Sequence, residues 1–222
     1  MNVRALLAYF KPHKTLPITP WRATHRWDLS PVRIAILFFG LAIFGLGDSL
    51  LIQAGMGNAP WTVFAQGVTL KTGLSIGWAT FFISVFVLLS WIPLRERPGF
   101  GTLANIVLIA TFIEIGTKIF PEQNSWFTGI AFDLVGIALV GAGSALYITC
   151  GLGSGPRDGA MTGLHYLTGI RVGRVRMAIE VVVLCIGFSL GGTVGVGTAL
   201  FALLIGQSVA ISLGIVARLT RK

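Results

Sequence analysis

Charge is what this chain has least of. Only 11% of its 222 residues are Asp, Glu, Lys or Arg, and just eight are acidic, whereas a soluble globular domain carries about 25%. The two cysteines, Cys150 and Cys185, stand in apolar stretches with no ligand-like spacing. That excludes a disulfide framework or a thiolate metal site and leaves them as small packing residues. The three histidines, His13, His25 and His165, do not cluster, and no glycine loop is followed by GK[ST]. With no nucleophile elbow and no paired carboxylates, enzymatic chemistry is the least supported class, and neither a cofactor nor a metal is expected.

Apolar length is present in excess. Hydrophobic residues make up 54% of the chain, the mean hydropathy is +0.82, and there are 29 glycines. Several runs approach the roughly 20 residues that cross a bilayer as a helix, and small residues let such helices approach closely. The spans fall near residues 34–54, 74–94, 102–120, 126–150, 176–192 and 198–217. Six crossings follow. With the N-terminus inside, 15 of the 17 basic residues lie on the cytoplasmic side, leaving only Lys71 and Lys118 outside. This satisfies the positive-inside rule, so the net charge of +9 reports topology rather than nucleic-acid binding. The expectation is a multi-pass protein of the bacterial inner membrane with both termini cytoplasmic. Residues 1–30 form a basic arm with Pro12, Pro17 and Pro20 and no cleavage pattern, suited either to the anionic leaflet surface or to a disordered tail.

An internal repeat organises the rest. Residues 34–115 align without a gap on residues 130–211, an offset of 96. Gly40, Gly45 and Gly47 fall on Gly136, Gly141 and Gly143, while Gly55, Gly57 and Pro60 fall on Gly151, Gly153 and Pro156. Further on, GFGT at 99–102 matches GVGT at 195–198. Three spans per half is an odd number, so the second copy enters the membrane from the opposite side. The expected fold is therefore an all-α membrane protein of six transmembrane helices. They form two inverted-topology three-helix repeats, 31–125 and 126–217, within one transmembrane domain spanning 31–222. Secondary transporters are commonly built this way, with sites near the midplane at interrupted helices.

Two matched motifs are the candidate site. GMGNAPWT contributes Gly55, Gly57, Asn58, Pro60 and Trp61; GLGSGPRD contributes Gly153, Ser154, Gly155, Pro156, Arg157 and Asp158. Each precedes a moderately apolar stretch of 11 or 12 residues, too short to cross as a helix. Either a surface helix or a re-entrant half-helix fits, and the glycines and the pairing favour the re-entrant one. A helix starting near Pro156 would turn free amides toward the glycines, with Arg157 alongside, an arrangement suited to an anion. The bland reading has equal weight: Arg157 follows the positive-inside rule and Asp158 complements a helix start.

Intramembrane carboxylates point by default to a pathway or a buried pair. Glu114 with Lys118 and Glu180 with Arg176 have the spacing of helical ion pairs. Asp48, in GLGDS, has no basic neighbour within a turn and is the candidate for proton coupling or cation binding, against a buried hydrogen-bonded role. Asp133 reads as solvated near the outer interface, while Gln53, Asn105 and Gln207 read as interhelical hydrogen-bonding groups.

GMGNAPW, PGFGTLAN at 98–105 and above all GLGSGPRDGAMTGL resemble the YczE/YyaS/YitT group of bacterial integral membrane proteins, nearest its YczE-like branch. The resemblance covers about residues 34–215. It implies a multi-pass inner-membrane protein with no established catalytic residues, from a group in which some members are connected with lipopeptide antibiotic production. The function expected is a transporter or permease for a small solute, an anion among the candidates. A non-transporting protein that supports a biosynthetic or envelope pathway through a partner is the alternative. The bilayer and an unidentified small solute are the expected partners, nucleic acid is not, and six spans are compatible with a homodimer.

Overall fold

The computed structural model describes residues 16–220, and among them every regular element is helical. In chain order these are α1 Pro31–Gln53, α2 Pro60–Thr72, α3 Ile76–Leu89, α4 Trp91–Leu94, α5 Phe100–Ile119, α6 Trp126–Thr149, α7 Pro156–Thr168, α8 Val172–Ser189 and α9 Val196–Leu219. The readings of Arg4, Lys11, Pro12 and Lys14 in the basic arm lie outside the described residues.

Among the described residues, five stretches are long and apolar enough to cross a membrane: α1, α3 with α4, α5, α6 and α9. The sixth expected span is α8, an 18-residue helix whose first half carries Arg174, Arg176 and Glu180, and these charges set it apart from the other five. The span at 74–94 is likewise two pieces, because the helix breaks at Ser90.

Local chemistry places the helix ends. Pro31, Pro60 and Pro156 each open a helix, where proline's missing N–H costs nothing. Gly73 and Gly169 close α2 and α7 in the left-handed region, at φ of 75° and 70°. The two short helices thus run from proline to threonine over 13 residues each, and their bounds differ by the 96-residue offset of the sequence repeat.

Helix packing depends on glycine. α1 packs mainly on α6 and α5, and α6 on α9. At the α1–α6 crossing a Cβ on Gly47 would lie 2.8 Å from the Gly136 carbonyl oxygen, and one on Gly143 would lie 2.5 Å from that of Gly40. Because Gly40 meets Gly143 while Gly47 meets Gly136, the two helices run antiparallel. Small residues permit this backbone approach, and the close contact supplies the dispersion that holds helices together in lipid. Residues before α1 join the same body: Thr19 Oγ1 donates to the Thr149 carbonyl at 3.1 Å and Ala23 N to that of Cys150 at 2.8 Å. Asp28 accepts from the backbone N–H and hydroxyl of Thr24 and pairs with Arg33 at 2.8 Å. These contacts, the Thr24 amide first, lower its carboxyl from 3.8 to about 2. Their stabilisation is present above the ordinary value and is lost as pH falls through the lowered one.

Gly47→Leu should force α1 and α6 apart at a cost of about 3 kcal/mol and sharply reduce the yield of monodisperse protein on size-exclusion chromatography. Gly206→Leu should leave the yield unchanged, since nothing lies within 4 Å of that position. Equal yields from the two variants would contradict the glycine crossing.

Candidate functional site

The two glycine-proline loops have the same backbone shape. Gly55 and Gly57 have φ of 68° and 100°, and Gly151 and Gly153 have 69° and 118°, conformations that side-chain-bearing residues rarely adopt. Each loop is clasped by the GxGT turn of the other half. Gly101 N donates to the Leu152 carbonyl at 2.9 Å, and its repeat mate Gly197 N donates to the Met56 carbonyl at 2.8 Å. Thr102 Oγ1 accepts from Gly99 N at 3.2 Å and donates to the Ser154 carbonyl at 2.8 Å; Thr198 Oγ1 accepts from Gly195 N at 3.2 Å. A Cβ on Gly153 would sit 2.7 Å from Thr102 Oγ1, so the clasp requires glycine there.

The clasps aim the N-termini of α2 and α7 into one central cavity of about 180 Å³. Pro60 and Trp61 line it from α2, Pro156, Arg157 and Asp158 from α7, and Asp48 from α1. Neither helix start is capped by a side chain at its N-cap residue, and at α2 Thr62 N bonds the Ala59 carbonyl at 2.9 Å instead. The Arg157 guanidinium lies 5.0 Å from the centre of the Trp61 ring, a cation–π contact joining the two motifs. Asp48 is 2% exposed, with the Thr62 hydroxyl and the Arg157 guanidinium as polar neighbours. The Tyr147 hydroxyl donates to Asp158 Oδ2 at 2.9 Å, and Trp91 Nε1 donates to the Pro156 carbonyl at 2.9 Å. Arg157 thus shares the cavity with the carboxylates of Asp48 and Asp158. A cavity with a cation and two helix starts offers a small anion charge-assisted partners.

Of the residues singled out in the sequence, Asp48, Pro60, Trp61, Gly155, Pro156, Arg157 and Asp158 meet at this cavity. Gly55, Gly57, Gly153 and Ser154 shape the loops behind it. Asn58, 3% exposed, turns away to bond Gln66 Oε1 at 3.2 Å. The pairs expected for Glu114 with Lys118 and Glu180 with Arg176 form at 2.8 and 3.0 Å, and the second of them lines the cavity. Gln53 bonds the Thr117 carbonyl at 3.0 Å as a helix-bridging group. Gln207 is exposed, contrary to expectation, because the face of α9 that bears it packs on no other helix. Asp133, expected to be solvated, is wholly buried, since the start of α9 covers it. Sequence reasoning missed Tyr147 and Trp91 at the site. Tyr147 lies three residues beyond Ser144, the repeat mate of Asp48, and that spacing of one helical turn is the only signal it gave.

The halves are not equivalent. Motif one is buried, with Trp61 at 8% exposure, whereas Ser154 and Asp158 of motif two are exposed. α2 packs closely on α8, and α3 packs on α5, where Gly77 N donates to Glu114 Oε2 at 3.2 Å. The corresponding α8 and α9 part, and Gly173 and Gly206, mates of Gly77 and Ala110, meet nothing within 4 Å.

Comparison with known proteins agrees with this membrane architecture. The profile of a family of unknown function, DUF6198, matches residues 31–213. An uncharacterised protein of Haemophilus influenzae is 46% identical over 209 residues, 94% of this chain and 96% of that protein. The uncharacterised membrane protein YczE of Bacillus subtilis is 34% identical over 184 residues, 82% of this chain and 86% of YczE. YyaS of the same organism is 29% identical over 186 residues, 81% of this chain and 91% of YyaS. No solved structure matches.

If the GxGT threonines hold the loops, Thr102→Val and Thr198→Val should each leave buried polar groups unpaired at about 1–3 kcal/mol apiece. Both variants should melt several degrees below the wild type in detergent. Unchanged melting of both would show that the clasps contribute nothing.

Proposed function

We propose, from the premise that this chain belongs to the DUF6198 family, that it is a small-solute transporter of the bacterial inner membrane whose substrate is a small anion bound at Arg157. The observation that carries this reading is the meeting of two uncapped half-helix starts, from α2 and α7, with one buried-facing guanidinium in a single cavity. Inverted-repeat transporters bind solutes at such interrupted helices. The antiparallel α1–α6 crossing and the 96-residue repeat of element bounds support an inverted pair, and the positive-inside count supports cytoplasmic termini. A partner-binding protein without transport would leave α2 and α7 flat on the surfaces, and the burial of Trp61 speaks against that.

The chemistry follows from charge balance. Without a bound anion the carboxylates of Asp48 and Asp158 in the same cavity supply the balancing charge for Arg157, and Tyr147 orients Asp158 through its hydroxyl. An entering anion takes over the guanidinium and the amides at the starts of α2 and α7. Asp48, 2% exposed, is then left as an uncompensated buried charge, which is costly until it takes a proton. Anion and proton therefore enter together, and this makes Asp48 the coupling residue. The exposure of motif two and the gap between α8 and α9 describe a state open on the motif-two side, the cytoplasmic side in this topology.

Uptake of a panel of small inorganic and organic anions into proteoliposomes tests this. Arg157→Ala should reduce flux by about 10- to 100-fold, the worth of a charge-assisted bond. Asp48→Asn should retain exchange but lose acceleration by an inward proton gradient. No flux above protein-free liposomes, or flux indifferent to Arg157→Ala, would overturn the reading.

A further inference from the structure

A second polar site lies outside the central cavity. Asp133 on α6 is 0% exposed, and among the described residues neither of its carboxylate oxygens has a hydrogen-bond partner. It lies against Gly197, the second residue of α9. A Cβ placed there would be 2.6 Å from Asp133 Oδ2, 3.0 Å from Oδ1 and 2.5 Å from the Gly57 carbonyl oxygen. Carboxylate and carbonyl thus face the same point, acceptor toward acceptor. One residue on, Asn58 Oδ1 is another buried acceptor with no partner among the described residues.

The repeat provides an internal control for this position. Asp133 corresponds to Leu37, which is 0% exposed and packs with Leu152 of the opposite loop. A leucine therefore satisfies the same place in the other half, and packing does not explain the carboxylate. Burying an unpaired carboxylate costs several kcal/mol, and among the described residues no charged side chain compensates this one. Of the charged groups on the helices packed against α6, Asp48 belongs to the central cavity, Arg33 pairs with Asp28, and Arg218 stands at the far end of α9. A positive charge held at these oxygens would offset that cost.

We propose that Asp133, with the Gly57 carbonyl beside it, binds one monovalent cation, Na⁺ or a proton, separately from the central cavity. Oxygen donors select a hard cation, and a single carboxylate balances a single charge. The bound cation locks the motif-one loop to the start of α9. Its departure leaves carboxylate and carbonyl repelling each other across Gly197 and so loosens the clasp that aims α2. A carboxylate serving only as a complement to the α9 N-terminus would need no cation, and the two roles differ in their response to ions.

Melting of the full-length protein in detergent distinguishes them. Sodium chloride is compared with choline chloride at equal ionic strength and fixed pH, and pH is then varied in choline alone. The wild type should gain on the order of 5 °C at saturating occupancy. A gain with sodium at fixed pH assigns the site to Na⁺, and a gain only on acidification assigns it to a proton. Asp133→Leu, which copies Leu37 of the other half, should fold and lack the gain seen in the wild type, keeping only the pH response of other carboxylates such as Asp28, and Asp133→Asn is the isosteric second variant. A wild type indifferent to both sodium and pH, or a wild type and Asp133→Leu that respond alike, would overturn the proposal. The outcome does not depend on whether the central cavity transports anything.

Discussion

The reciprocal clasp between the halves is the constraint on which the rest depends. Backbone polar groups in a membrane protein must be satisfied inside the protein, and the two glycine-proline loops, lying between helices, have no helical ladder to do this. Each half solves the problem for the other. Gly101 and Thr102 hold the loop at Leu152 to Ser154, while Gly197 and the Gly195–Thr198 turn hold the loop at Met56 to Gly57. Neither loop can take its shape unless both halves are present and close, and the glycine crossing of α1 with α6 provides that closeness. The positions of Trp61 and Arg157 follow from it.

Duplication also makes the differences informative, because each position has a mate in nearly the same surroundings. Gly187 lets α2 press its backbone onto α8, where a Cβ would come 2.5 Å from Phe64 N. Its mate Trp91 instead sets an indole against α7 and bonds the Pro156 carbonyl. An indole thus stands between α4 and α7 where the other half has backbone contact, and motif two is the more exposed. Trp61 against Arg157, and Ser144 against Asp48, put the polar chemistry of the cavity into complementary corners of a shape that is otherwise repeated.

Much of this was legible in the sequence. Prolines at matched positions marked the starts of α2 and α7, and the matched glycines marked the loops before them. The number of crossings read less cleanly: α8 carries Arg174, Arg176 and Glu180 and is not among the five stretches apolar enough to cross. Side-chain surroundings were not readable at all. Asp133 lies only eight residues into α6, a depth that suggests water, yet the start of α9, more than 60 residues away in sequence, covers it. Tyr147 and Trp91 join the site through contacts that only the folded chain creates.

Whether the cavity is a water-filled solute site is the central claim, and chemical access to a buried hydroxyl on its wall tests it most directly. Ser144, 8% exposed, lies on the cavity wall in the last quarter of α6, whereas Phe86 on α3 faces outward at 74% exposure. With Cys150 and Cys185 replaced, Ser144→Cys in native membranes should react with a small charged thiol reagent far faster than Phe86→Cys. Equal inertness of the two would mean that the polar residues close a dry core, contradicting the account.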